Sequence, residues 1–216
     1  MNTISNIQHG AAIWSRFYGG FTMNKQDRRS KRTEQALLFA LGQLLQHKQL
    51  WEITVSELVL LAGVHRSTFY THYTDIYALY KTAEDRFFSL FQEVIRTSDA
   101  HDYRDIFRSI LHYMAENRAA TAIFFGDNAD PSFRKRFIDF STEQYLAISA
   151  YEDQVTAIPP RWKTLAAYHV GGFVSLIFDW IRSGFATPTE ELTELCIDLD
   201  LHMRDLRHKE LGNANA

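Results

Sequence analysis

The stretch 54–73, TVSELVLLAGVHRSTFYTHY, constrains this chain more than any other part of it. Thr54 and Glu57 stand three apart just ahead of Leu58, Val59 and Leu61. That is a capping-box pattern, in which the threonine hydroxyl and the glutamate carboxylate each satisfy an orphan amide at a helix N-terminus. Ala62-Gly63-Val64 closes that helix, because glycine supplies the positive φ that helix C-termini commonly require. A second short helix is predicted over roughly His65 to Tyr73, so the pair forms a helix-turn-helix. The second helix carries His65, Arg66, Ser67, Thr68, Tyr70, Thr71 and His72, which cannot all be buried. They make a surface of donors and acceptors suited to base edges and phosphates in a major groove. Phe69 and Tyr73, four apart, are expected to anchor this helix to the core. The competing reading, a solvated helix face in an ordinary bundle, does not account for the capping box, the turn and the basic segment upstream together.

That upstream segment reads as a helix over 28–48, with Leu37, Leu38, Leu41, Leu44 and Leu45 on one face. Its first turns carry Arg28, Arg29, Lys31 and Arg32, where cations oppose the helix dipole. An external polyanion would explain them. The formal net charge is −3, yet residues 25–81 hold eight Lys/Arg against five acids. The chain is therefore basic near its start and acidic beyond, as if one end faced phosphate. Residues 1–24 lack periodicity and are expected to form a loose arm, and Met23 is a candidate natural start.

The rest reads as helix after helix. Asp75 is a candidate N-cap for a long helix to about Thr97. Amphipathic stretches follow over 102–118, from Pro131 through Ile148, over 161–184, and from Thr187-Pro188 to about Leu211, with 212–216 as a tail. In the last of these Leu192, Leu195, Leu199, Met203 and Leu206 fall in phase. No strand signal, repeat or low-complexity segment is evident. No apolar run reaches the ~18–20 residues of a membrane span, and the start lacks the basic and apolar pattern of a signal peptide. The cytoplasm is the expected compartment. With Cys196 as the single cysteine, an intramolecular disulfide and a cysteine-based zinc site are excluded. No nucleophile-base order, phosphate loop or metal pair stands out, so an enzyme, a metal site and a cofactor are not expected.

The residues Ala62-Gly63-Val64, Ser67-Thr68-Phe69-Tyr70 and His72-Tyr73 resemble the tetracycline-repressor (TetR) family of bacterial regulators. The likeness covers about residues 28–80. The segments 171–184 and 187–191 are similar to the C-terminal region of one subgroup, where such helices pair two subunits. The resemblance implies an all-α fold: a three-helix DNA-binding domain over 25–80, and a helical ligand-binding and dimerisation domain over 81–211. It implies that Thr54 offers its hydroxyl and helix N-terminus to a phosphate. Arg66, Ser67 and Thr68 would lie at or near base edges, and Tyr70 and His72 would hold the backbone. Two departures are visible. Thr71 stands where the family often has a basic residue, and Ile76 where it commonly has a phosphate-gripping lysine.

The expected partners are a pseudo-palindromic double-stranded DNA operator, a second copy of the chain and a small, partly apolar effector, with no membrane partner. A pocket is expected among Tyr103, Phe107, Leu111, Phe124, Phe137, Tyr145, Tyr168, His169 and Phe173, with tyrosine and histidine as polar anchors. A dimer interface is expected from Leu165, Gly172, Leu176 and Asp179 on one helix and Leu195, Leu199 and Met203 on the last. Glycine in a helix interior costs ~1 kcal/mol, which a close helix crossing at Gly171-Gly172 would offset. The leading expectation is a dimeric repressor released by its ligand. The alternative is a TetR-like coactivator that has lost direct operator reading, favoured by Thr71 and Ile76.

Overall fold

The computed structural model describes residues 25–97, 103–116 and 118–214. The arm over 1–24 and the last two residues lie outside it, as do the side chains of Arg28, Arg29 and Tyr103. The described residues form nine α-helices and no strand. They are α1 (Lys25–Leu44), α2 (Val55–Ala62), α3 (Arg66–His72), α4 (Ile76–Thr97), α5 (Tyr103–Glu116), α6 (Arg118–Phe125), α7 (Phe133–Glu152), α8 (Pro160–Arg182) and α9 (Thr189–Ala214), with a 3-10 turn at Leu50–Glu52. The separate helix α6 has no counterpart in the sequence reading, where the amphipathic stretch ends at 118 and residues 119–125 carry no assigned element. The last helix runs past Leu211 to Ala214.

The chain divides into two compact units, one of residues 1–94 and 112–130, the other of 95–111 and 131–216. In the first, Leu37, Leu38, Leu41 and Leu45 of α1 are buried together with Leu58, Val59, Phe69, Ile76 and Leu79. Helix α1 packs on both α2 and α6. The loop after α6 is tied down by Asn128. Its amide nitrogen donates to the Leu45 carbonyl at 3.1 Å, and its side-chain oxygen accepts from Gln49 Nε2 at 2.7 Å. The Asn128 carbonyl also accepts from the Leu50 amide at 3.2 Å. Tyr80, Phe87 and Phe124 form an aromatic cluster in the same unit, with ring centroids 5.1–5.7 Å apart.

In the second unit α8 packs between α7 and α9. Its length and composition are those of a membrane span. However, Trp162, Ala166, Val170, Val174, Ile177 and Trp180 form one buried stripe facing its neighbours, as in the core helix of a bundle. The leucines of α9 do not form the single stripe expected from their phase. Leu192, Cys196, Asp200, Met203 and Arg207 turn inward, while Leu195, Leu199 and Leu206 stand exposed. Both sets satisfy helical spacing, and the partner helices decide which one is covered.

Candidate nucleic-acid interface

Local chemistry builds this site. Thr54 Oγ1 accepts from the Glu57 amide at 3.2 Å, and Glu57 Oε2 accepts from the Thr54 amide at 3.1 Å, so the capping box is closed in both directions. Glu57 also pairs with Lys48. The lysine contact, followed by the two Thr54 bonds, pulls the Glu57 carboxyl down to about 2. Lys48 is thereby engaged by a carboxylate of its own chain. At the other end of α2, Gly63 takes φ 65°. The Val64 amide donates to the Val59 carbonyl at 2.9 Å and the Gly63 amide to the Leu60 carbonyl at 3.3 Å. This is a Schellman closure, and its left-handed residue sets where α3 departs.

Helix α3 is held from beneath. Phe69 is 0 % exposed, and its ring lies 5.8 Å from that of Tyr73. The Tyr73 hydroxyl donates to Glu34 Oε1 on α1 at 2.9 Å, and Glu34 also pairs with Arg86 on α4. Thus α1, the end of α3 and α4 meet at one carboxylate. Asp75 caps α4 by accepting from the Ala78 amide at 2.8 Å.

Above this anchor His65, Arg66, Ser67, Tyr70, Thr71 and His72 are exposed, and Thr68 is half-buried. Thr54 is exposed at the start of α2, and Lys31 is half-buried on α1. The Thr71 hydroxyl donates to the Ser67 carbonyl at 3.0 Å and is engaged by its own helix. Arg66 bridges the two helices: Nη1 donates to Ser56 Oγ at 2.8 Å and Nη2 to the Tyr70 hydroxyl at 3.2 Å. Ser56 carries no signal in the sequence, since ten positions separate it from Arg66. Ile76, where the family commonly has lysine, is buried.

The residues expected to line a pocket are dispersed. Phe107 meets Phe173 edge-on at 5.0 Å, Phe137 stacks on Phe133 at 5.8 Å, and Tyr145 meets His169 at 5.0 Å, all in the second unit. Leu111 is buried there too. Phe124 instead belongs to the core of the first unit, beside Tyr80 and Phe87. Tyr168 stands 78 % exposed on the outer face of α8 rather than turned toward the core.

Around Tyr145 lies a charged cluster that sequence reasoning missed. Arg207, 1 % exposed, donates to the Tyr145 hydroxyl at 2.8 Å, to Glu152 at 3.1 Å and to Asp153 at 3.3 Å. His169 faces Asp200 at 3.1 Å. Burial pushes the Tyr145 hydroxyl above its ordinary value, opposed by the Arg207 charge.

Of the residues expected at a dimer interface, Leu195, Leu199, Gly172 and Asp179 are exposed, and Leu165 and Leu176 are half-buried. Met203 is buried within its own chain, because it lies on the inward stripe of α9. A Cβ added at Gly171 or Gly172 would meet no atom within 4 Å, so no helix of the same chain crosses closely there.

Residues 101–199 match a family described as transcriptional regulator C-terminal region, of the TetR type. No curated protein matches the chain by sequence. Among solved structures the chain is similar to the dihydroxyacetone kinase operon activator DhaS, with 19% identity and a TM-score of 0.59 over 81% of this chain and 97% of that one. It is similar to a TetR transcriptional regulator from Streptococcus agalactiae, with 24% identity and a TM-score of 0.58 over 81% and 96%. It is also similar to NalD, the secondary repressor of the MexAB-OprM efflux pump in Pseudomonas aeruginosa, with 15% identity and a TM-score of 0.56 over 79% and 94%. Residues 101–199 thus resemble the C-terminal region of TetR-type transcriptional regulators, and behind a closed helix-turn-helix the chain has a TetR-like fold across about four-fifths of its length.

Proposed function

We propose that the protein is a sequence-specific regulator that binds duplex DNA as a homodimer, α3 of each copy entering the major groove of one half of a pseudo-palindromic operator. One observation carries this reading: a seven-residue helix pinned by a wholly buried Phe69 turns five polar or aromatic side chains outward. An α-helix fits the major groove, and N-terminal residues of a recognition helix reach base edges. Thr54 and the N-terminus of α2 hold a phosphate, Tyr70 and His72 lie along the backbone, and Arg28, Arg29 and Lys31 add cationic contacts from α1.

The second copy docks on the outer faces of α8 and α9. Tyr168, Leu195, Leu199 and Leu206 are exposed there, and the open space over Gly171-Gly172 admits a helix from outside the chain. A small, partly apolar ligand bound in the second unit near Phe107, Phe137, Tyr145, His169 and Phe173 lowers operator affinity, which makes the protein a repressor. The Tyr145 hydroxyl and His169 supply the polar anchors.

A second reading, activation without direct operator contact, is favoured by Thr71 and Ile76 in place of basic residues and by the activator name of one structural relative. Footprinting on the DNA upstream of the protein's own gene separates the two. Protection over two half-sites about 34–36 Å apart, weakened by Arg66→Ala, is the expected result, and no protected site on any genomic duplex sinks it. The slope of log K against log salt is expected to be shallow, roughly 0.9 for each phosphate contacted. Affinity independent of salt counts against groove binding.

A further inference from the structure

We propose that Arg66 reads a guanine in each operator half-site, and that Ser56 and Tyr70 are the positioning residues that hold its guanidinium ready to do so. This rests on the groove reading given above and adds to it the base and the two holders. Arginine has five N–H donors in a planar fork. Two are engaged, Nη1 by Ser56 Oγ at 2.8 Å and Nη2 by the Tyr70 hydroxyl at 3.2 Å. That leaves Nε–H and one N–H on each terminal nitrogen, enough for the two-point contact with O6 and N7 that only guanine offers in the major groove.

Both holders are neutral hydroxyls, so neither compensates the positive charge. Their directions matter as well. Tyr70 lies one helical turn beyond Arg66, and its ring centroid is 5.5 Å from the guanidinium carbon. The fork is therefore drawn along the exposed face of α3 and not out into solvent. Ser56 belongs to a different helix, so the side chain is fixed from two sides. A phosphate presents oxygens in several directions and can be met by a fork in many orientations, whereas a base edge lies in one plane and needs the fork held in that plane, as the Ser56 and Tyr70 bonds hold it. Tyr70 then acts through Arg66 rather than on the DNA backbone alone.

Selection from a randomised duplex library tests this with the full-length protein and with Arg66→Ala, Arg66→Lys, Ser56→Ala and Tyr70→Phe, each checked for an unchanged helical circular-dichroism spectrum. The wild type is expected to enrich a half-site with one invariant guanine. Arg66→Ala should lose that preference alone, weakening binding to the selected site by about 5- to 150-fold, the range of one bidentate base contact. Tyr70→Phe keeps the ring and should relax the same position and no other, as should Ser56→Ala. Replacing the guanine by 7-deazaguanine, which lacks N7, should weaken the wild type and leave Arg66→Ala unaffected.

The proposal is overturned if Arg66→Ala weakens all sequences equally and lowers the salt slope by about one, the mark of a phosphate contact. It is equally overturned if Arg66→Lys keeps full guanine preference, or if the position that responds is not guanine. Enrichment of no sequence by the wild type overturns the groove reading itself, and this proposal with it.

Discussion

The hydroxyl of Tyr73 donates to Glu34 Oε1 at 2.9 Å across a separation of 39 residues. The bond runs from the residue that ends α3 to the middle of α1, and the same carboxylate meets Arg86 of α4. The orientation of α3 thus depends on a polar contact at one end and on Phe69 at its centre. Tyr73→Phe is expected to cost about 1 kcal/mol, the net worth of one hydrogen bond to a charged acceptor that keeps a second partner. A double-mutant cycle of Glu34→Gln and Arg86→Met should give a coupling of about 0.5–1 kcal/mol, modest because Arg86 is partly solvated. Urea denaturation reads both. A coupling indistinguishable from zero removes Glu34 as the meeting point.

The α2 cap sets an acid-side limit. The Glu57 carboxyl is held at about 2 against an ordinary 4.5, chiefly by Lys48 and then by Thr54. A depressed carboxyl favours the folded state wherever it is ionised. Its contribution is therefore complete above about 4.5, declines as pH falls, and is gone below about 2. Glu57→Gln should flatten the acid limb of a stability–pH curve over that window. Thr54→Ala should lower stability by about 1 kcal/mol at neutral pH, as the loss of an N-cap does.

Arg207 is the group whose loss should be felt most in the second unit. It is buried with Glu152 and Asp153 as its acceptors. Removing one partner of a buried pair leaves uncompensated charge and costs about 3–5 kcal/mol, whereas neutralising the set costs less. Arg207→Met is expected to lower the urea midpoint strongly, and Arg207→Met with Glu152→Gln and Asp153→Asn to recover part of the loss. A triple variant weaker than the single one contradicts this account of the cluster.

Leu195 and Leu199 lie one turn apart on the exposed face of α9. Leu195→Asp with Leu199→Asp should leave the chain folded, since exposed positions tolerate such changes within about 0.5 kcal/mol each. Sedimentation at micromolar concentration should show a monomer in place of a dimer, with operator binding weakened. An unchanged sedimentation coefficient places the dimer contact elsewhere.

Features that depend on near neighbours were legible in the chain itself. The Thr54–Glu57 box, the Gly63 turn, the Asp75 cap and the leucine stripe of α1 involve residues a few positions apart, so spacing alone reveals them. Helix α6 was not legible, because eight residues give too short a pattern to assign and neither Gly nor Pro marks its start. Asn128 and Ser56 gave no signal for a different reason. Their partners, Leu45 and Gln49 for one and Arg66 for the other, are brought near only by packing.

By itself the order of residues determined an all-helical chain, a helix-turn-helix at 54–73, and the polar character of its second helix, since backbone hydrogen bonding and capping act over single turns. Which leucines of α9 are covered, that Tyr168 stands outside, and that Arg207 is buried among carboxylates were decided by tertiary structure alone. Amphipathic spacing offers two stripes on such a helix and does not choose between them. A charged side chain is placed on the surface by default, and only the neighbours supplied by α7 and α8 make burying Arg207 less costly than exposing it.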